Sequence, residues 1–534
     1  MACASSSLFL LAAVFLFGSL GNEGGFSPIG VAKWLGIPLA LVLFWVVDVL
    51  AHRLFMVHPG LSWGLVVIVI TGLFSLAIGR AFDFLNLSSL HTVYSARLTR
   101  TFQGASNEDR VYSSTSSGSK DIRLAHPKDD VPLEKYHPEQ QGGPLHFINV
   151  CVNETVDFAS DRDVRERKGL PMCVTPHGVS VGRRYFAEWA APDQWPRWQK
   201  RRRWIDGLDE DDTKAVEERR LIALRALPVS SDPNAFHVLK TKDSESAESE
   251  AMTLGGWTAI SGAAFTTGRG RGTAIGLSTF MGLANVRLGY WWDSGIREQD
   301  RPGRFPLPFW RLFKRIPITL FRMQSLLLSE WRGRFHGASR WFWYLSDGGH
   351  FEVTGLYELL RRRVPFMIVT DAGEDPGYLW GDVALLTQQV REDFGAEIEW
   401  LNPKPPKGAS RLKDWAAIPA EVPGWIRKWI NPNALGALTQ VRPGGKYQAA
   451  LARVTYHSAP GHESWILLLK PAVGQGLTQD ILNYGAEHSD FPQQPTFDQV
   501  FDDTQWESYR ALGQQIARKV FSKSQPSSHE NELP

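Results

Sequence analysis

Three blocks of apolar residues dominate the start of the chain: Leu8–Leu20 (LFLLAAVFLFGSL), Trp34–Leu50 (WLGIPLALVLFWVVDVL) and Trp63–Ile78 (WGLVVIVITGLFSLAI). A helix needs about 20 mostly apolar residues to cross a bilayer. With their flanks counted, the second and third blocks reach that length and predict two membrane-spanning helices. The first is a candidate third span. No Lys or Arg precedes it, as the positive n-region of a signal peptide would require. Asp48, near the end of the second block, fits the membrane interface; an acid facing a partner helix is the functional alternative.

The pattern then changes. Arg97 and Arg100 follow the third block closely, and by the positive-inside rule they put the following domain in the cytoplasm. Residues 103–145, with SSTSSGSK and HPKDD, predict a flexible linker. The expected organisation is a membrane region over 1–102, this linker, an α/β domain over 146–520 and a disordered tail over 521–534.

Within the expected domain, Phe147–Val152 reads as a buried strand and Trp341–Leu345 as an aromatic one. Gly355–Arg363 reads as a helix with Leu356, Leu359 and Leu360 on one face. Its three terminal arginines suit the negative pole of the helix dipole. PFMIVTDAGEDP predicts a buried parallel strand ending in an acidic loop. DVALLTQQVREDFG predicts an amphipathic helix closed by glycine, and AEIEW a further strand. This strand–helix alternation predicts an α/β layer, in which ligands gather beyond the carboxyl ends of the strands. Asp347 and Asp371 fall at such ends. Asp347-Gly348-Gly349 fits two readings, a turn in which glycine supplies positive φ or a catalytic carboxylate. Asp371 fits a loop or cap.

Composition narrows the function classes. The 534 residues carry a net charge of +2, so nothing global points to nucleic acid. Aromatic residues reach 12%, with 21 Trp, a type that favours apolar pockets and membrane interfaces. The three cysteines do not suggest a disulfide scaffold. Neither Cys-x-x-Cys nor His-Glu-x-x-His occurs, so no zinc site is expected. WPRWQKRRRW, Trp195–Trp204, suits a surface segment with indoles packed down or a foot on an anionic membrane, ahead of single-stranded nucleic acid. Thr241–Glu250 is an acidic loop.

Two serines are candidate nucleophiles. Ser180 lies in a literal Gly-x-Ser-x-Gly, Gly178–Gly182, but Pro176 weakens the strand that should precede an elbow. Ser261 sits between small residues, with Ala259 and Ala263 in the glycine places. His177 and His350 lie near the candidates and read as surface residues.

YLSDGGHFEVTGLYELLRRRVPFMIVTDAGEDP resembles the acidic motif of the patatin-like phospholipases, in particular their large, bacterial-type, membrane-associated group. AISGAAFTTG, NVRLGYWWDSG, INVCVNETVDF and DFPQQPTFDQVFDDTQWESYRALG resemble further segments of that group, so the likeness covers most of Phe102 to Gly513. The resemblance implies a three-layer α/β/α core and acyl-ester hydrolysis by a Ser–Asp dyad. It carries the dyad acid onto Asp347, as general base, with Gly348 and Gly349 as companions; Ser261 aligns with a segment that is not nucleophilic. No metal or other cofactor is implied. The family's Gly-Gly-Gly-x-Arg-Gly oxyanion loop and serine elbow have no counterpart in the expected place, and Ser180 is not at the family's elbow position. The chain therefore resembles the C-terminal half of such an enzyme, with an incomplete core. Its implied partners are a phospholipid or other acyl ester, the membrane and a separate N-terminal half carrying the nucleophile. The alternative is a catalytically inactive, membrane-anchored protein that binds lipid or a partner.

Overall fold

Two of the apolar blocks form long helices, α1 (Pro28–Val57) and α2 (Leu61–Gly79). In this computed structural model the described residues are 28–57, 60–104, 107, 126–156, 166–190, 220–221, 225–226, 252–294, 320–402, 422–495 and 501–521, apart from 80, 82, 184 and 341. Both helices are long and apolar enough to cross a membrane, and only 6% of each apolar window is buried. A core helix of a water-soluble domain would be mostly buried. Asp48 lies exposed on α1. The block Leu8–Leu20, the segments Trp195–Trp204 and Thr241–Glu250 and the tail from residue 522 lie outside the described residues.

The chain divides into two compact units, the second beginning at Glu352. In unit 1, α2 leads into short helices α3 (Asp83–Leu87) and α4 (His91–Leu98). Its strands are β1 (Ile148–Asn153), β2 (Gly169–Thr175), β3 (Gly178–Val181), β4 (Tyr185–Ala190), β5 (Arg220–Leu221), β6 (Arg225–Ala226), β7 (Tyr290–Asp293) and β8 (Phe342–Asp347). They form one sheet in the order β5-β4-β3-β2-β1-β8-β7, with β6 beside β4. Every pairing in it is antiparallel.

Period-two alternation sorts the aromatic strands onto two faces. Trp292, Trp343 and Leu345 join the valines of β1 to β3 and Trp257 and Ile260 of α5 (Leu254–Ser261) in one core. Their neighbours Trp291 and Tyr344 face the other way, against Leu85 and Phe335. On that second face Glu330 is fully buried. It pairs with Arg287 at 2.8 Å and accepts from Trp291 Nε1 at 2.6 Å. Much of the unusual tryptophan content of the sheet is thus core.

Unit 1 also grips both long helices. Gly36 of α1 presses so closely on Gly276 of α6 (Ile275–Leu283) that a Cβ would strike the Gly276 carbonyl. Gln324 of α7 (Arg322–Trp331) donates to the Ser75 carbonyl of α2 at 2.7 Å.

The expected linker is partly ordered. Residues 126–142 make three short 3-10 turns, at Pro127–Asp129, Leu133–Lys135 and Pro138–Gln141. Buried Asp129 accepts from Asn107 Nδ2 at 2.9 Å and from the His126 N–H at 2.8 Å. Those polar partners fix a stretch whose composition alone reads as loose.

Unit 2 contains α8 (Leu356–Arg361), β9 (Phe366–Thr370), α9 (Gly381–Phe394), β10 (Ala396–Trp400), α10 (Gly424–Arg427), β11 (Ala449–Tyr456), β12 (Glu463–Leu469), α11 (Gln479–Glu487) and α12 (Asp503–Phe521). Its sheet runs β10-β11-β12-β9, and β9 is parallel to β12 as expected, but it is an edge strand rather than a fully buried one: Met367 and Val369 face inward while Ile368 is exposed. Gly395 closes α9 at φ +60°, a left-handed cap that glycine adopts without a side-chain penalty. The arginines ending α8 do more than face the helix dipole, because Arg361 and Arg362 both bond Glu358, which is buried.

The fold is mixed α/β with two sheets, and one expectation changes. The alternation from Trp341 to Trp400 does not build a single layer. β8 belongs to the antiparallel sheet of unit 1 and β9 to the sheet of unit 2, because the chain changes unit between Phe351 and Glu352.

Candidate functional site

Asp347 is the last residue of β8, at its carboxyl end. It then caps a 3-10 turn over Gly348–His350, its Oδ1 accepting from the Gly349 N–H at 2.7 Å. Neither Gly348 nor Gly349 has positive φ. Gly348 is needed for space instead: a Cβ there would lie 2.6 Å from the Asn149 carbonyl of β1. The motif is thus a turn and a fixed carboxylate at once.

Several remote segments converge on this carboxylate. Asn153 of β1 accepts from the Gly270 N–H through Oδ1 at 2.9 Å and donates through Nδ2 to Ser346 Oγ at 2.8 Å. Ser346 Oγ in turn meets His350 Nδ1 at 2.9 Å. This chain of bonds ties the glycine-rich loop Gly268–Gly272 to the end of β8. Gly270 sits there at φ +52°, with its Cα against the His350 carbonyl where a side chain would not fit. The loop brings Arg269 into the electrostatic field of Asp347, and Tyr94 of α4 feels the same charge. Arg269 Nε is buried and has no hydrogen-bond partner.

Burial pushes the Asp347 carboxyl up to about 6, against the opposing pull of the Gly349 N–H and of Arg269. Burial and then the charge of Arg269 push His350 down to about 3, so its ring is neutral at physiological pH. Its Nδ1 is taken by Ser346, and it is half-buried and bonded into the turn rather than the surface histidine expected. Burial raises the Cys151 thiol to about 12, with Asp347 adding to the effect. Cys151 is neutral there and carries no thiolate chemistry.

The two candidate nucleophiles are placed differently. Ser261 ends α5, and its Oγ donates to the Asn149 carbonyl at 2.7 Å, the same carbonyl that abuts Gly348. It is near the motif with its proton committed to the backbone. Ser180 lies within β3, paired with Cys173 and Phe186 and buried. The register runs Asp347–Val150–Met172–Val181. Ser180 is therefore about three strand spacings, roughly 14 Å, from the carboxylate. The strand–elbow–helix context is also missing, since β3 turns into β4. Ser180 and Asp347 do not form a dyad in this geometry.

Three residues near the β2–β3 turn group together without any motif to announce them: His137, Glu139 and His177. The only signal in the sequence is a His-x-Glu step in the expected linker and a histidine in a tight turn. Asp371 ends up in a buried pair with Lys470 at 3.1 Å, a refinement of the cap reading.

Compared with protein-family models, with characterised proteins and with solved structures, the chain gives no significant match.

Proposed function

We propose that this chain is the Asp-bearing part of a membrane-associated acyl-ester hydrolase of patatin-like type, with Asp347 as general base. The observation that carries the reading is a carboxylate at a strand's carboxyl end, held by the Gly349 N–H at 2.7 Å, and burial pushes it up to about 6. A base works best when its pKa lies near the working pH. Asp347 would take the proton of an attacking serine hydroxyl and return it to the leaving alcohol. Arg269, with an unmet buried donor, would face the negative charge that develops on the ester oxygen or the phosphate of a phospholipid. Both Tyr94 and Arg269 come from segments next to the long apolar helices: α4 follows α2, and the Arg269 loop runs into α6, which packs on α1. That favours a substrate delivered from a bilayer. Arg97 and Arg100 favour a cytoplasmic site.

Among the described residues no serine hydroxyl bonds Asp347. This favours a nucleophile supplied by a separate polypeptide segment, and it is also what a catalytically inactive lipid- or partner-binding protein would present. Labelling separates the two. Whole protein in phospholipid nanodiscs is treated with a fluorescent fluorophosphonate, alone and with candidate partner chains, and the labelled serine is mapped. Hydrolysis is expected to rise with pH through about 6 as Asp347 loses its proton, and Asp347→Asn is expected to lower it about 10²–10⁴-fold. Absence of labelling and of ester hydrolysis under both conditions would leave the binding reading.

A further inference from the structure

We propose that His137, Glu139 and His177 form a binding site for a zinc-class divalent cation, separate from Asp347 and independent of the hydrolase reading. The three side chains each offer one ligand atom, and these atoms lie within 4.8 Å of one another. His137 Nδ1 is 2.9 Å and His177 Nε2 3.2 Å from the same Glu139 oxygen, Oε1. The two imidazole rings are tilted against each other with centroids 5.4 Å apart.

Two rigid pieces of backbone present these groups. His137 precedes Pro138, which opens the 3-10 turn carrying Glu139. Proline fixes φ there and removes one degree of freedom. His177 sits in the turn between β2 and β3, where Thr175 Oγ1 accepts from its N–H at 3.2 Å and donates to the Gly178 carbonyl at 3.1 Å. Neither histidine has to be recruited from a loose segment.

The competing account is a pair of histidine–carboxylate contacts that merely close the turn. It leaves a polar atom unused. Glu139 Oε2 is enclosed and has no hydrogen-bond partner, a costly arrangement for a buried carboxylate oxygen. It also stacks both donors on one oxygen while the other goes unmet. A cation between the three groups engages the lone pairs of the imidazoles and either carboxylate oxygen. Zinc binds nitrogen and oxygen ligands at about 2.0–2.2 Å in tetrahedral sites. That places neighbouring ligand atoms roughly 3.3 Å apart. The observed separations of 2.9 and 3.2 Å are close to this edge length. Imidazole with carboxylate is a donor set suited to zinc, and three protein ligands leave a fourth position for water or an anion. The side chains retain 18–23% of their exposure, enough for a small ion to enter.

The test uses the whole, tag-free chain in detergent micelles, stripped of metal and titrated with Zn²⁺ against a chromophoric chelator of micromolar affinity. One equivalent should be withdrawn from the chelator. Co²⁺ loading should give the intense visible bands of a four-coordinate site. Glu139→Gln and His177→Gln should each weaken binding by about tenfold or more, with circular dichroism confirming the fold. For a readout that needs no variant, X-ray absorption of the zinc-loaded wild type should give two imidazoles and oxygen ligands. Failure to compete with the chelator, stoichiometry and affinity unchanged in His137→Gln/His177→Gln, or a different ligand count would each overturn the assignment.

Discussion

Asp347 and Asp371 occupy matching places in the two units and meet different fates. Each stands at the carboxyl end of a strand, and each accepts an N–H from a glycine two residues on, Gly349 at 2.7 Å and Gly373 at 3.0 Å. Asp371 is also met by Lys470 Nζ at 3.1 Å, with both side chains buried. Lys470 donates again to the Gly373 carbonyl at 2.8 Å and lies 5.9 Å from the Trp380 ring centre. No ion pair closes on Asp347 among the described residues, and Arg269 reaches it only through its field. Two similar local sequences thus set the same turn, while remote residues decide whether the carboxylate is locked in an ion pair or left without one.

The sharpest way to break this comparison is to remove one member of the locked pair. Lys470→Met leaves Asp371 buried without its counter-charge, and the expected cost to unit 2 is about 3–5 kcal/mol. Adding Asp371→Asn should recover much of that loss. Hydrogen exchange of peptides from β9 and β12 measures both changes within the whole protein. A single variant as stable as the wild type would show that the pair is not locked.

The opposite result is expected at the open carboxylate. The folded chain holds the Asp347 proton more tightly than the unfolded chain does, about 6 against 3.8. The neutral carboxyl therefore favours the fold most fully below about pH 4, and that contribution is lost as pH rises through about 6. Asp347→Asn keeps the neutral form at every pH. It should stabilise unit 1 by up to about 3 kcal/mol at pH 8 and flatten its profile between pH 4 and 6. Urea unfolding followed at those pH values, with exchange of β8 peptides as the reporter, tests this. A stability maximum near neutrality lost in the variant would contradict it.

A smaller effect sharpens the account of the motif itself. Gly348→Ala places a methyl 2.6 Å from the Asn149 carbonyl. Relieving such crowding costs about 1–3 kcal/mol, and the shift should displace the Asp347 carboxylate as well. Thermal unfolding together with the pH profile of Asp347 measures both parts. A neutral substitution would mean that the pairing of β1 with β8 gives way easily.

Local elements are legible in the residues because their signals are local. The run Phe366–Thr370 and the helix stopped by Gly395 follow from hydrophobic period and a cap. Pairing is not legible. β8 lies between β1 and β7, both far away in sequence, and nothing in the residues around Trp341 states that the next strand leaves for another sheet. In the site, the Asp-Gly-Gly motif announces Asp347. Arg269 and Tyr94 act on it through tertiary packing, which no spacing encodes. Gly348 matters as the motif suggests, but for a different cause, since the crowding comes from β1. His177 reads as a surface residue because its neighbours in space, His137 and Glu139, belong to a segment whose composition reads as linker.

The contact between Gly36 and Gly276 has a mechanical meaning. Backbone rests on backbone there, with no side chain between to flex. The helix that begins at Ile275 follows the Arg269 loop almost directly. A bilayer that thins or thickens makes an embedded helix tilt or shift to match it. A shift of α1 along its axis would press directly on the start of α6, and the Arg269 loop lies only a few residues before it.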